Sequence, residues 1–308
     1  MKRLFTFGCS YTSYAWPTWS NLISKEFDYY ENWGLSGLGN RAIAERVNEA
    51  NIRHSFTSDD VIIVQWSTHL RNDYYVEFQK GPDGNMVPAG WKTRGSIFNY
   101  LNSELYDKKW IDNFFSEVAY FMHTLNFISM TQSLLESTGC TWYMTSIGDI
   151  RELGHDLRPK DKYGERPVNL REVFGNNKNI GWEFAKPLKI YEKPIWEDRA
   201  DHWLTPLEKF SKDYPDLYYE FETQEEGTGI DPHPSTSHHF LWVEQELESK
   251  LNLSEKWKQE TIELTKSVNE LQMRMKTDKA AFIQLMSRRG NFPQSAKDFY
   301  WPTQYVGF

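Results

Sequence analysis

At 308 residues the chain is long enough to bury roughly three-quarters of the surface its unfolded form exposes, and its formal net charge of −8 argues against a generic nucleic-acid binder. Hydrophobic residues make up 39% of it, yet no run approaches the ~20 apolar residues of a membrane span. The two cysteines, Cys9 and Cys140, sit in apolar runs without the spacing of a disulfide framework or metal knuckle, so both read as buried thiols.

Lys2 and Arg3 precede an apolar run and a cysteine, but Leu4 to Phe7 is far too short for a signal-peptide core, and the expectation is a cytoplasmic protein. "RLFTFG" (3–8) reads as a buried strand. "PTWSNLISKEF" (17–27) opens with proline and has helical spacing at Trp19, Leu22, Ile23 and Phe27. "YYENW" (29–33) is a second strand, and "NRAIAERVNEANIR" (40–53) a helix with Asn40 as its N-cap. "DDVIIVQWS" (59–67) is a β-branched run entered from a charged turn, the clearest strand of all.

Residues 71–108 look like an excursion, with turn signals at "GPDGN" (81–85). A long apolar helix (110–138) and a strand (140–147) follow, then a polar insertion rich in Gly, Pro and Trp at 150–202. "PLEKFSKDY" (206–214) and "LYYEF" (217–221) supply one more helix and strand, and the turn "EEGTGIDPHPSTSHH" (225–239) leads into the helix 239–251. Alternating β and α segments imply a doubly wound parallel sheet, whose ligands bind at the carboxyl ends of the strands. That edge collects Ser10, Ser67, the 147–150 turn and the 225–239 loop. Two parts are expected: a domain over 1–251 and a C-terminal helical extension and tail over 252–308. In the extension Leu264, Val268, Leu271, Met275, Phe282 and Leu285 follow a heptad seam, which fits either packing back on the domain or self-association into a homo-oligomer.

Three short stretches carry chemistry. Ser10 follows a strand directly and is flanked by Gly8 and Cys9; a nucleophilic serine needs an exposed hydroxyl, nearby N–H donors and a base, and a following helix N-terminus is expected to offer the donors. Asp231 and His233 stand two apart in a loop pinned by Pro232 and Pro234, and an imidazole base requires a carboxylate to fix its tautomer. In "NWGLSGLGN" (32–40), Gly37 can bring a backbone N–H close to a ligand, and Asn40 can cap a helix or face the same cleft. Each stretch alone also fits an ordinary structural turn.

Together, and in this order, "FGCSYT", "GLSGLGN" and "DPHPSTSHH" resemble the SGNH (GDSL-type) hydrolases, most nearly the divergent members found in phage genomes. The resemblance spans roughly residues 1–251, with long insertions at about 71–108 and 150–202. It implies a flavodoxin-like three-layer α/β/α sandwich with a mostly parallel five-stranded sheet. It implies a Ser10–His233–Asp231 triad and an oxyanion held by the N–H groups of Ser10 and Gly37. The third block of the family carries an asparagine donor; here "QWSTHLRND" puts Trp66-Ser67-Thr68 in its place, so a Thr68 or Ser67 hydroxyl, or Arg71, is left to serve. The implied activity is a serine esterase acting on a small acyl ester, such as an acetyl group on a carbohydrate, with no cofactor, metal, nucleic acid or membrane.

Rival readings stay open on the same residues. The triad would equally serve an O-acetyltransferase. The altered third block and the heptad tail fit a non-catalytic phage structural or glycan-binding protein, associated with the virion. Asp231, His233, His238 and His239 are a candidate zinc or iron set, although no His-Glu-x-x-His or cysteine pair accompanies them. Cys9 is the rival nucleophile, but neighbours at a strand end point to opposite sides, which sends its thiol into the sheet. Trp182, Trp196 and Trp203 are either a sugar platform over the cleft or core.

Overall fold

The computed structural model describes residues 1–14, 16–75, 78–80, 84–88, 91–96, 109, 117–148, 150, 197–207, 220–223, 227–230 and 233–275. Its centre is a parallel sheet of β1 (Arg3–Phe7), β2 (Tyr29–Asn32), β3 (Asp60–Trp66) and, after the excursion, β8 (Thr141–Ser146), in the order β2-β1-β3-β8. Arg3 lies opposite both Tyr29 and Asp60, and Val61 opposite Thr141, so the four carboxyl ends share one edge. All seven residues of β3 are buried, as a central strand covered on both faces must be.

The strand order decides the layers. From β1 the chain steps outward to β2 through α1 (Trp19–Ile23), then back across to β3 through α2 (Asn40–His54). Right-handed crossovers therefore put α1 and α2 on opposite faces, and α3 (Glu117–Thr138), which precedes β8, packs beside α2. The face of α1 is completed by α4 (Thr236–Glu246), against which α6 (Glu255–Met275) lies; the short α5 (Glu248–Leu251) joins the two. The result is the expected three-layer α/β/α arrangement. The core is aromatic as much as aliphatic, with Phe5, Phe7, Trp19, Trp66, Trp142 and Trp242 buried together.

Several expected elements take a different form. Among the described residues the main sheet has four strands, not five. Of the expected fifth strand (217–221), residues 217–219 lie outside the described residues. β9 (Glu220–Thr223) pairs antiparallel with β10 (Gly227–Ile230) instead of joining the sheet. The edge beyond β8 carries a single parallel bridge from Met144 to Trp203, with Leu204 N donating to the Met144 carbonyl at 2.8 Å. Trp203 is thereby part of the core, which removes it from the expected sugar platform; Trp182 and Trp196 lie outside the described residues.

The excursion after β3 builds two small antiparallel pairs, β4 (Arg71–Tyr75) with β7 (Trp91–Ser96) and β5 (Phe78–Lys80) with β6 (Met86–Pro88). It also caps α2. Gly39, not Asn40, is the N-cap, and it has no side chain to offer. Buried Asp73 substitutes: its carboxylate accepts Gly39 N at 2.9 Å and Ala42 N at 3.1 Å, filling donors that a helix start leaves free. Burial pushes the Asp73 carboxyl up, against the pull of those two backbone bonds and of Arg71.

Of the heptad seam, Leu264 and Val268 pack back on the domain, and the side chains of Leu271 and Met275 lie outside the described residues. Trp257 is buried and donates Nε1 to the Leu22 carbonyl at 2.8 Å, Thr261, Thr265 and Val268 continue the buried face, and Ser254 Oγ donates to Glu26 at 2.8 Å. Phe282 and Leu285 lie outside the described residues. Among those described, no helix is long and apolar enough to cross a membrane.

Candidate active site

β1 ends at Phe7, and the next residues turn sharply. The Cys9 carbonyl accepts both Thr12 N and Ser13 N at 3.0 Å. Gly8 permits the turn by lacking a side chain: a Cβ there would stand 2.1 Å from Thr12 Oγ1 and 3.0 Å from the Gln65 carbonyl. Thr12 is pinned from two sides, donating Oγ1 to Gln65 Oε1 at 2.8 Å and accepting Thr18 Oγ1 on its carbonyl at 2.6 Å. Cys9 is wholly buried in the core, as the strand-end alternation predicts. Ser10 follows at the sheet edge, 4% exposed, its hydroxyl 4.0 Å from the Cys9 sulfur. The helix expected to supply its N–H donors starts too late for that role. α1 begins only at Trp19, after the turn and Pro17, so the amides beside Ser10 belong to its own turn and not to a helix end.

The loop after β2 is sewn to this turn. Leu35 N donates to the Gly8 carbonyl at 3.1 Å, Ser36 Oγ to the Ser13 carbonyl at 3.4 Å, and Asn32 Nδ2 to the Thr12 carbonyl at 2.9 Å. Gly37, in the turn closed by Leu38 N on the Leu35 carbonyl, has φ +86°, a left-handed conformation that favours glycine. Asn40 is not the helix cap expected of it. Its side chain clasps the backbone of Ser67, accepting Ser67 N at 2.7 Å and donating to the Ser67 carbonyl at 3.0 Å, with a second bond to Thr124. Ser67, at the end of the third strand, is thus held by a side chain of α2. Thr68 Oγ1 accepts Leu70 N at 3.3 Å, and Arg71 donates to the Leu38 carbonyl at 3.0 Å rather than standing free in a cleft. The buried Ser67 hydroxyl has no hydrogen-bond partner among the described residues.

His233 comes to the same place from the far end of the chain. Its ring stacks on Tyr14, with centroids 3.8 Å apart and planes 18° from parallel, and meets Tyr11 edge-on at 5.4 Å. Two hydrogen bonds close the seam: Trp16 Nε1 to the Pro234 carbonyl at 2.8 Å, and Thr236 Oγ1 to the Pro17 carbonyl at 2.9 Å. Ser235 caps α4, accepting His238 N at 3.2 Å. Asp231 lies outside the described residues. Tyr11, Tyr14 and Trp16 are site residues that the sequence reading misses, although three aromatics directly after a candidate nucleophile stand in plain view in "SYTSYAW".

His238 and His239 are buried in the first turn of α4. Among the described residues no three His, Cys, Asp or Glu side chains converge as a metal-binding group. Burial holds the His239 imidazole neutral, well below the usual histidine range, with smaller contributions from nearby His238 and His233. The unfolded chain takes up that proton near pH ~6.5. Below this pH the unfolded state binds more protons than the native one, so His239's contribution is complete above it and is lost as pH falls toward the depressed native value. The urea midpoint is expected to drop between about pH 7.5 and about pH 5.5, and to drop less in His239→Gln. Equal drops in both proteins would show that His239 is not the group responsible.

Elsewhere, His54 has a partner the sequence did not reveal: its Nε2 lies 3.0 Å from the buried Glu31 carboxylate, which also accepts the indole N–H of Trp33 at 2.7 Å. His202 stacks on Trp142 at 4.0 Å and bonds its carbonyl at 2.7 Å, beside the sheet edge and away from β1.

No family model and no curated protein matches the chain. Similar solved structures include the psychrotrophic esterase EstA from a Pseudoalteromonas species inhibited by monoethylphosphonate, at 10% identity and TM-score 0.37, covering 82% of this chain and 100% of that one. TesA is similar at 11% identity and TM-score 0.36, over 79% of this chain and 94% of its own. A GDSL-like lipase from Bacteroides thetaiotaomicron has 11% identity and TM-score 0.35, over 82% and 88% of the two chains.

Proposed function

We propose that the protein is a serine ester hydrolase of the SGNH type acting on small acyl esters. The supporting observation is the stacking of His233 on Tyr14, four residues along the same turn from Ser10. This stacking supports a reading in which the imidazole of the last loop serves the turn after the first strand, at the kind of sheet edge where doubly wound folds bind ligands.

In this reading the Ser10 oxygen attacks the ester carbonyl while its proton passes to His233, and Asp231 orients the imidazole. The carbonyl oxygen becomes an oxyanion, held by the N–H groups of Ser10 and Gly37 and a hydroxyl of the third block, Thr68 or the unengaged Ser67. Collapse breaks the C–O bond, and the departing alkoxide takes the proton from His233. Water, deprotonated by His233, then attacks the acyl-serine and restores Ser10. The substrate stays at the level of a small acyl ester, since Trp203 is core and no longer argues for a sugar. Acyl transfer to a hydroxyl would run through the same residues, the acceptor replacing water.

A fluorophosphonate probe followed by peptide mass mapping tests the assignment. Label is expected on Ser10 in the parent protein and absent in His233→Ala, which lacks the base. An unlabelled Ser10 in the folded parent would favour the non-catalytic reading.

A further inference from the structure

A loop histidine has two free side-chain torsions, and a general base must spend most of its time with one ring nitrogen aimed at the nucleophile. The esterase reading, on which the role of Tyr14 rests, therefore requires something to hold His233. Its flanking prolines restrict the backbone but not the ring. The ring is held by aromatics of the serine turn. Tyr14 covers one face of the imidazole at 3.8 Å and 18°. Tyr14 is itself braced by Trp16, edge to face at 4.5 Å and 81°. Trp16 is almost wholly buried and bonds the carbonyl of Pro234, the residue after His233. The brace thus begins and ends on the same loop.

Face-to-face stacking has a particular chemical virtue. It stops the imidazole from tipping out of plane, while both ring nitrogens, lying in the plane at the perimeter, keep their hydrogen-bonding directions. We infer that Tyr14 is a positioning residue, stacking His233 in the orientation that accepts the Ser10 proton. The proton leaves Ser10 Oγ as the O–C bond forms, and the resulting imidazolium faces the Tyr14 π-cloud, which attracts a cation. The proton then goes to the leaving alkoxide, and Tyr14 neither gives nor takes one. The stacking is made by the ring, which phenylalanine keeps.

The test compares Tyr14→Phe with Tyr14→Leu in the full chain. Leucine is expected to lower kcat for p-nitrophenyl acetate about five- to tenfold with KM little changed, and phenylalanine to retain it. A second readout does not need turnover. In ¹³C-histidine-labelled protein, the His233 ring resonance, assigned with His233→Gln, is expected to be shifted upfield by the stacked ring. The shift should persist in Tyr14→Phe and vanish in Tyr14→Leu. An unchanged resonance in Tyr14→Leu, retained kcat in that variant, or equal loss in Tyr14→Phe would each overturn the assignment. Absence of Ser10-dependent turnover in the parent would overturn the esterase role, and with it the catalytic part of this one, while the resonance still reports whether Tyr14 holds the ring. If Tyr14→Leu does not fold, Tyr14→His, which keeps a flat ring, is expected to behave like phenylalanine, and a tenfold loss there would count against stacking.

Discussion

Replacing Ser10 by alanine is expected to lower kcat for p-nitrophenyl acetate at least about 10³-fold, because the proposed acyl intermediate forms on its oxygen. The informative control is the neighbouring thiol. Cys9 is an intrinsically better nucleophile than serine, and it is one residue away. Its side chain, however, is packed in the hydrophobic core with no exposure, whereas Ser10, also buried at 4% rather than exposed as a nucleophile is expected to be, lies outside that core cluster. Cys9→Ala should therefore keep turnover within a few-fold while losing some stability to the small cavity left behind. Steady-state kinetics on the two variants decide the matter, and a reversed pattern would reassign the nucleophile to sulfur.

Gly8→Ala is the second large effect. The added methyl would meet the Thr12 hydroxyl at 2.1 Å and the Gln65 carbonyl at 3.0 Å. Neither neighbour yields easily: the carbonyl belongs to a central strand, and the hydroxyl is bonded to Gln65. Overpacking of this kind costs about 1–3 kcal/mol, here at the upper end, and it displaces the turn that carries Ser10. Activity should fall further than stability. Thr12→Ala removes the oxygen that obstructs the methyl, so the double variant Gly8→Ala/Thr12→Ala should lose less than the two single variants added together. Urea midpoints for the four proteins close that cycle; additivity within about 0.5 kcal/mol would mean the two residues do not collide.

Local patterns made part of this molecule legible. A β-branched run such as 60–66 states its own conformation and its burial on both faces, and a glycine at φ +86° announces a turn that few other residues can make. The alternation of strands and helices then implied a parallel sheet and put Ser10 and the 225–239 loop at one edge. Partners contributed from far along the chain were not legible. Nothing near Asn40 says that α2 is capped by Asp73, 34 positions from Gly39, or that the Asn40 amide serves Ser67. Among the described residues no fifth strand joins the main sheet, for a similar reason. "LYYEF" has strand composition, but composition does not choose a partner, and its described part pairs with its own neighbour while Trp203 takes the place beside β8.

The seam between residues 11–17 and 233–236 has a consequence for biosynthesis. At about 5–20 residues per second, a ribosome needs on the order of tens of seconds to travel from one side of it to the other. Throughout that interval the contacts that residues 233–236 supply to Tyr11, Tyr14, Trp16 and Pro17 are missing, and this side of the serine turn is left uncovered. Chains released early, before residue 233, would keep that aromatic face uncovered, which suits them to capture by chaperones.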